Sequence, residues 1–414
     1  MSSANSIITK LTKNNSLFRK IYHKASYDLR LVRYKIRKAG KGIDDKKVVF
    51  SAFAGRKYAD SPRAIYEYML GSDDYKDFKF VWVFTQPENY SFLKNNRNTT
   101  IVKQASKECE LAFATAKYWV TNNRTSQHRY PTKGQVFIQT WHGTPLKRLR
   151  FDIEKPQDFN HTRDEFAKMF IGDAKKFTYF LSPSAFASEK FISAFGLKEL
   201  GKEDIIVEEG YPRNDFLVNY TQDDVNRIKT ELGLPDDKKV ILYAPTWRDD
   251  QFKFGEGYQY KPAVDFDRLQ REIGDDYVIL YRAHYYISNS FDFEKYGGFV
   301  LDVSSLDDIN DLYVVADMLI TDYSSVFFDY ALLKRPMLFY MYDFEQYKNE
   351  LRGFYIDISE LPGPIIKTED ELINKIKSTP DDFEYDEKYK RFNDKFNYLD
   401  DGHASERVAK KLIK

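Results

Sequence analysis

Short apolar runs alternate with helix-like segments along most of this chain, and no other feature of the sequence constrains the fold as strongly. Strand-like runs occur at 48–53, 78–85, 99–104, 135–141, 177–184 and 204–210, and the pattern restarts at 239–247, 276–285, 299–304, 316–325 and 336–343. Runs that are apolar throughout indicate strands buried on both faces, as in parallel sheets covered by helices. The sequence therefore predicts an α/β fold with two Rossmann-like domains whose parallel sheets face an interdomain cleft.

Breaks in this alternation divide the 414 residues into four predicted units. Residues 1–46 precede the first strand, 47–218 form the first domain, and 219–384 form the second, with a hinge near 211–222. Residues 385–414 are rich in tyrosine and charge, and we expect them to be helical and to cross back onto the first domain. A chain of this length is too long for one ordinary domain and suits two.

The first unit is strongly basic. Residues 10–41 contain many lysines and arginines but a single acidic residue, Asp28. Apolar residues recur in this segment at spacings of three and four, namely Phe18, Ile21 and Tyr22, then Leu29, Val32 and Ile36. The pattern predicts a basic amphipathic helix that lies in the headgroup layer of an anionic membrane. A disordered basic tail, or a helix packed on the body of the protein, would have the same composition.

Composition excludes several classes of protein. The net charge of +1 gives no indication of a nucleic-acid partner. The lone cysteine, Cys109, rules out a disulfide framework or a cysteine metal site within one chain and suits a reducing cytosol. No apolar run approaches the ~20 residues that a membrane-spanning helix needs, and no secretory signal is visible. We therefore expect a peripheral protein on the cytoplasmic face of the cell membrane.

Polar clusters follow four of the predicted strands, at the ends where α/β sheets bind their ligands. These clusters are His142-Gly143, Thr246-Trp247-Arg248, Arg282 with His284, and Asp322 with Ser324 and Ser325. The two serines stand at a predicted helix start, where free backbone N–H groups bind phosphate. Arg282 and His284 are two residues apart and would share one face of a strand, which suits a diphosphate. Ordinary N-capping serines and a histidine bonded to a backbone carbonyl are the alternatives.

His142 is a candidate general base because its unperturbed pKa of about 6.5 leaves it able to accept a proton near neutral pH. A solvated loop histidine is the alternative interpretation. Lys147, Arg148 and Arg150 follow in a basic, helix-like segment that could bind an anionic acceptor or could be a solvated helix face. The sequence contains neither a P-loop motif nor a GxGxxG motif, and no metal-binding motif such as HExxH. We predict no metal site and no cofactor.

Six motifs in a fixed order resemble one known family. They are HGTPLK (142–147), GYPRND (210–215), APTWR (244–248), RAH (282–284), TDYSSVFFDYALLKRP (321–336) and DGHAS (401–405). Together they resemble the CDP-glycerol glycerophosphotransferases, the teichoic acid primases and polymerases of Gram-positive envelopes, over about residues 47–410. The resemblance implies a metal-independent GT-B architecture. It also implies transfer of glycerol phosphate or ribitol phosphate from a CDP-alditol to an acceptor hydroxyl, with release of CMP.

The resemblance also implies roles for individual residues. His142 would be the base on the acceptor hydroxyl, and His284 would bind the donor diphosphate and assist the departure of CMP. Donor binding is implied for Gly143, Thr144, Arg213, Asn214, Thr246, Trp247, Arg248, Arg282, Asp322, Ser324 and Ser325. The acceptor would be an undecaprenyl-diphosphate-linked precursor. Long polymerases of this family carry a large N-terminal domain, so the 46 residues before the first strand favour a primase-like enzyme or a short transferase.

Four other functions remain open on the sequence alone. A CDP-ribitol ribitolphosphotransferase or a capsule alditol-phosphate transferase would carry the same motifs. A GT-B sugar transferase that uses a UDP- or GDP-sugar would need the same phosphate-binding helix. A non-catalytic membrane-surface protein would explain the basic segment but not the histidines at two strand ends.

Overall fold

The computed structural model describes residues 16–153, 163–246, 252–253, 257–258, 262–282, 292–344 and 353–414. Its strands form two parallel sheets, and we call the part of the chain around each sheet the first lobe and the second lobe. Within the described residues, no helix combines the length and the apolar character that crossing a membrane requires. The predicted α/β architecture with two Rossmann-like units is confirmed.

The first lobe holds a seven-stranded sheet in the order β3-β2-β1-β4-β5-β6-β7. Its strands are β1 (Asp44–Ser51), β2 (Lys79–Phe84), β3 (Thr99–Lys103), β4 (Ala116–Thr121), β5 (Val136–Gln139), β6 (Tyr179–Ser182) and β7 (Ile206–Glu208). Its helices are α1 (Ser16–Lys38), α2 (Asp60–Gly71), α3 (Lys107–Thr115), α4 (Arg163–Ala174) and α5 (Ala185–Ala194).

Side chains of neighbouring strands explain why this sheet is buried on both faces. Val49 lies opposite Val81 and Trp119, and all three belong to the core on one face. The next residue, Phe50, lies opposite Trp82 and belongs to the core on the other face. Successive strand residues point to opposite faces, so only a run that is apolar at every position can fill both cores.

The second lobe holds a six-stranded sheet in the order β12-β11-β8-β13-β14-β15. Its strands are β8 (Lys239–Ala244), β11 (Tyr277–Tyr281), β12 (Val300–Asp302), β13 (Met318–Thr321), β14 (Met337–Tyr340) and β15 (Ile365–Ile366), and a separate antiparallel pair is formed by β9 (Phe252–Lys253) and β10 (Gly257–Tyr258). The remaining helices along the chain are α6 (Asp215–Asn219), α7 (Gln222–Leu232), α8 (Phe266–Ile273), α9 (Ile309–Val315), α10 (Val326–Tyr330), α11 (Glu369–Asp382), α12 (Glu387–Phe396) and α13 (Ala404–Leu412).

The last two helices tie the lobes together. Phe392 and Phe396 of α12 belong to a core of the second lobe, and Phe396 also packs on Phe186 of α5. Val408 and Leu412 of α13 belong to a core of the first lobe. The chain end therefore runs from the second lobe back onto the first.

The helix-like segment predicted after His142 is not a helix. Residues 142–149 form no helix, and Lys147 forms an antiparallel bridge with Phe354 of the second lobe. The Arg148 N–H donates to the Gly353 carbonyl (2.9 Å), and the Tyr355 N–H donates to the Leu146 carbonyl (2.8 Å). Pairing with a segment two hundred residues away replaces the local helix, a tertiary effect that outweighs helix propensity.

Candidate active site

A cavity of about 600 Å³ lies between the lobes, where the carboxyl ends of the two sheets face each other. The first lobe lines it with the loop that follows β5, and the second lobe lines it with the loops that follow β8, β11 and β13. The lining residues are Trp141, His142, Gly143, Thr144, Pro145, Leu146, Lys147, Leu149, Ala244, Pro245, Thr246, Arg282, Ile309, Tyr323, Ser324, Ser325 and Val326. The cavity therefore lies where the sequence predicted a cleft, and most of the predicted polar residues that the structure describes line it.

The imidazole of His142 is held by one backbone carbonyl. Its Nδ1 lies 2.8 Å from the carbonyl oxygen of Asn122, the residue that follows β4. Because a carbonyl can only accept a hydrogen bond, Nδ1 carries the proton in the neutral ring, and Nε2 carries the lone pair. This is the tautomer that a general base needs.

The pKa of His142 lies below its ordinary value, chiefly because the surrounding protein disfavours the charged ring. The bond to Asn122 and the charge of Asp60 oppose that effect, whereas Arg213 and Arg150 add to it. The side chain nevertheless stays exposed on the side that faces the cavity. His142 is therefore neutral near neutral pH and accessible to a reacting hydroxyl.

Gly143 brings the first lobe into contact with the serines of the second. A Cβ atom at position 143 would lie 3.0 Å from the Ser325 hydroxyl oxygen, which is tighter than most contacts that Cβ atoms make. Ser325 is the residue before α10, and its hydroxyl makes no capping bond. The loop of His142 and the start of α10 therefore sit against each other with the serine hydroxyls at the cavity wall.

Asp322 organises the second-lobe side of the cavity. The carboxylate is buried and accepts hydrogen bonds from the backbone N–H groups of Thr246 (2.7 Å) and Tyr323 (2.5 Å). These bonds join the loop after β8 to the loop after β13. We expected Asp322 to contact the donor, but in this geometry the carboxylate shapes the loops that carry Thr246 and Ser324.

Arg282 lines the cavity at the end of β11. Its guanidinium donates to the carbonyls of Val303 (3.0 Å) and Leu306 (3.1 Å), and burial lowers its pKa from the ordinary value. The cation therefore stands beside the cavity without a carboxylate bonded to it in these contacts, which leaves its charge available to an anion. The predicted site residues Trp247, Arg248 and His284 lie outside the described residues.

Arg213 and Asn214 were predicted to bind the donor, but the structure places them away from the cavity lining. Arg213 is buried and pairs with Asp60 of α2 (3.2 Å) and Asp329 of α10 (2.9 Å). The Asn214 amide donates to Asp400 (2.8 Å). A buried guanidinium needs partners of this kind, because an unpaired charge away from water is costly. The network joins both lobes and the C-terminal segment.

The three candidate acceptor-binding cations occupy different places. Lys147 lines the cavity. Arg148 packs its side chain against Gly353. Arg150 lies over the ring of Phe195, with its Cζ atom 4.0 Å from the ring centre, and burial lowers its pKa to about 10. The structure thus brings only Lys147 of the three to the cavity.

Asn122 and Trp141 are site residues that the sequence analysis did not single out. Asn122 follows β4 at the carboxyl end of the sheet, so the rule that led to His142 could have led to Asn122 as well. Trp141 adjoins His142, and its ring contacts the imidazole in a tilted arrangement with 4.3 Å between ring centres. Trp141 was not singled out because its apolar side chain fits the run 135–141, which was assigned to a strand.

Across the residues with described positions, no group of three or more histidine, cysteine or carboxylate side chains has an arrangement that could hold a metal ion. Among the described residues that line the cavity, the cations are Arg282 and Lys147. Charge on a bound phosphate would be balanced by these side chains and by backbone N–H groups.

Sequence comparison identifies relatives along almost the whole chain. The CDP-Glycerol:Poly(glycerophosphate) glycerophosphotransferase family matches residues 32–414. A teichoic acid poly(glycerol phosphate) polymerase of Bacillus subtilis is 41% identical over 376 residues, which are 90% of this chain and 49% of that protein. A teichoic acid glycerol-phosphate transferase of Staphylococcus aureus is 39% identical, over 89% of this chain and 92% of its own length. The chain thus spans about half the length of the Bacillus relative.

Solved structures show the same relationship. The wall teichoic acid polymerase TagF superposes with a TM-score of 0.83 at 38% identity, over 94% of this chain and 97% of that chain. Structures of this polymerase include histidine variants, one of them soaked with CDPG. The family match covers residues 32–414, which include both lobes and the cavity between them. This chain belongs to the CDP-glycerol:poly(glycerophosphate) glycerophosphotransferase family.

Proposed function

We propose that this protein transfers glycerol phosphate from CDP-glycerol to a hydroxyl group of a teichoic acid precursor and releases CMP. The proposal rests on one observation: His142 has the tautomer of a base, and the next residue, Gly143, lies against Ser325 of the second lobe. One residue can take a proton while the other stands at a helix start suited to phosphate. Both line one cavity of about 600 Å³.

The proposed reaction is a single displacement at the β-phosphorus of the donor. A new bond forms between the acceptor oxygen and phosphorus, the bond to the bridging oxygen breaks, and that electron pair leaves with CMP. The acceptor proton passes to Nε2 of His142. Arg282, the serine hydroxyls and the N–H groups at the start of α10 stabilise charge on the diphosphate. His284, by resemblance, assists the leaving group.

Positioning and electrostatics would supply most of the rate acceleration, as in other phosphoryl transfers. The proposed base contributes ~10²–10⁴-fold, the usual range for a placed proton acceptor. Lys147 is the described cation on the first-lobe wall of the cavity and is the candidate to bind an anionic acceptor.

We propose that the acceptor is linked to undecaprenyl diphosphate and that α1 holds the enzyme on the cytoplasmic leaflet. Ile21, Leu29, Val32 and Ile36 of α1 are each at least half exposed. Their spacing of three, four and eight residues places them on one face of the helix. Arginines and lysines alternate with them, as in helices that bind anionic headgroups.

The test is a transfer reaction read by mass spectrometry. The protein is incubated with a lipid-linked disaccharide, with or without one glycerol phosphate, and with CDP-glycerol, CDP-ribitol or a UDP-sugar. We expect CMP release and a product heavier by whole glycerol phosphate units with CDP-glycerol. Transfer from CDP-ribitol alone would reassign the alditol, and transfer from the UDP-sugar would reassign the class of donor. Absence of CMP release with every CDP-alditol would contradict the proposal.

A further inference from the structure

Trp141 has a backbone conformation that few residues of its size adopt. Its φ angle is +54°, in the left-handed region, where the Cβ atom comes too close to the backbone carbonyl oxygen. The Gln139 side chain accepts a hydrogen bond from the Trp141 N–H (2.9 Å) and itself donates to the Asn123 carbonyl (3.2 Å). Two side-chain hydrogen bonds thus hold the strained turn immediately before His142. Strain that the surroundings enforce in this way occurs mainly at functional sites.

The indole of Trp141 is fixed on both sides. Its ring lies 4.3 Å from the His142 ring at an angle of 31° between planes. Phe195 meets it edge-on at 5.0 Å, and Phe191 does so at 6.1 Å. The two phenyl rings leave the indole little freedom to rotate, so the imidazole is held between the indole and the Asn122 carbonyl.

The indole also contacts the His142 imidazole, whose charge changes during the proposed reaction. His142 becomes an imidazolium when it accepts the proton of the acceptor hydroxyl. A cation over the face of a tryptophan is attracted by the negative charge of the ring face. Asp60 also favours the imidazolium, whereas Arg213 and Arg150 oppose it. Arg150 itself lies 5.8 Å from the Trp141 ring.

We propose that Trp141 is a positioning residue for His142, with its left-handed backbone directing the imidazole and its indole face stabilising the imidazolium. The inference rests on the proposed role of His142 as a base and deepens it. A purely structural role would make Trp141 one more aromatic side chain of the first-lobe core. Trp119 is such a side chain, fully buried against Phe113 and Phe137, and it serves as the matched control.

The experiment uses Trp141→Leu and Trp119→Leu in the full chain, with two readouts. The first is the pH profile of kcat with CDP-glycerol. The second is an NMR titration of the His142 imidazole in the free protein. We expect Trp141→Leu to lower kcat about tenfold, to leave KM for CDP-glycerol nearly unchanged, and to move the acid limb of the profile to lower pH. Trp119→Leu should move neither the limb nor the titration.

Site-specific fluorinated tryptophans separate the indole face from its shape, because added fluorines weaken the face while the ring keeps its size. Fluorination at position 141 should lower the pKa of His142 stepwise with the number of fluorines, and fluorination at 119 should not. If Trp141→Leu fails to fold, the fluorinated proteins still test the proposal. An unchanged His142 titration across the series, or an equal effect at 119, would overturn the proposal. The titration needs no turnover, so a protein inactive with CDP-glycerol would refute the proposed function without deciding the role of Trp141.

Discussion

At the scale of single residues, the site depends on how one carbonyl and one glycine place His142. The Asn122 carbonyl fixes the tautomer, so that Nε2 is the atom able to accept a proton. The missing side chain of Gly143 lets the loop approach Ser325 to the distance of a direct contact. A Cβ atom at 143 would require the Ser325 side chain to shift at the point where phosphate chemistry is proposed.

Replacing His142 with alanine should therefore lower kcat by ~10²–10⁴-fold while the fold and donor binding persist. In the unaltered enzyme, the acid limb of kcat/KM should lie below pH ~6.5, because desolvation by the surrounding protein lowers the pKa of His142 and keeps it neutral to lower pH. Steady-state kinetics and calorimetric binding of CDP-glycerol measure both effects. His403→Ala is the matched control, since that imidazole is 65% exposed at the start of α13. Turnover of His142→Ala within a few-fold of the control would remove His142 from the mechanism.

His142 could be recognised from sequence because a histidine at the end of an apolar run is chemically conspicuous. Trp141 could not, since its role depends on a φ angle that the sequence does not reveal. The ion pairs of Arg213 could not be predicted from sequence for a different reason. Its partners Asp60 and Asp329 are 153 and 116 residues away along the chain, so nothing near Arg213 in sequence showed that its charge is already paired.

At the scale of elements, the strands were the predictable part. An apolar run such as 78–85 has side chains that can be buried on both faces only in an interior strand of a parallel sheet. Strand β2 is such a strand. The basic segment that follows Pro145 was predicted to be helix-like, but residues 146–149 form no helix. Pro145 lacks a backbone N–H, and the segment instead pairs with residues 353–355, a partner that no local pattern discloses.

Helix α1 combines a fixed end with an exposed face. Tyr34 is buried against the first lobe, and the Lys38 ammonium donates to Gln135 (3.1 Å). Leu29, Val32 and Ile36 remain at least half exposed on the same helix. A helix that is held by one face and leaves aliphatic side chains uncovered on another favours docking on a membrane surface.

Replacing Leu29, Val32 and Ile36 together with glutamine should reduce binding to anionic vesicles at least tenfold, because about 1 kcal/mol or more of apolar burial is lost for each side chain. Glutamine keeps helix propensity, so circular dichroism should stay unchanged. Vesicle sedimentation measures the effect, and added salt should weaken the binding that remains. Val218→Gln, which alters a 44% exposed side chain elsewhere, is the control. Equal binding by the triple variant and the control would exclude α1 as the anchor.

At the scale of the whole molecule, buried polar contacts hold the lobes in the arrangement that creates the cavity. Arg213 links α2 of the first lobe to α10 of the second. Lys57 donates to the Leu306 carbonyl, and Tyr90 donates to Asp307 (3.2 Å) across the same junction. Because Arg282 also bonds to the Leu306 carbonyl, the junction and the cavity share one loop.

The existence of a cleft followed from sequence, since two α/β units bind their ligands at strand ends. The distance between the lobes did not follow, because it is set by contacts between residues far apart in the chain. Asp307, which meets Tyr90 across the junction, is one example. The sequence motifs therefore identified most of the residues that line the cavity. Contacts between residues far apart in the chain determine which of these residues face each other.

The most direct test is a crystal structure of His142→Ala with CDP-glycerol bound, since the variant should retain the donor without consuming it. We predict that the donor diphosphate lies between the lobes, with a β-phosphate oxygen within roughly 3 Å of the Ser324 or Ser325 hydroxyl. The β-phosphorus should face the space that the imidazole occupied. A donor bound outside this cavity, or one whose diphosphate points away from residue 142, would contradict the account.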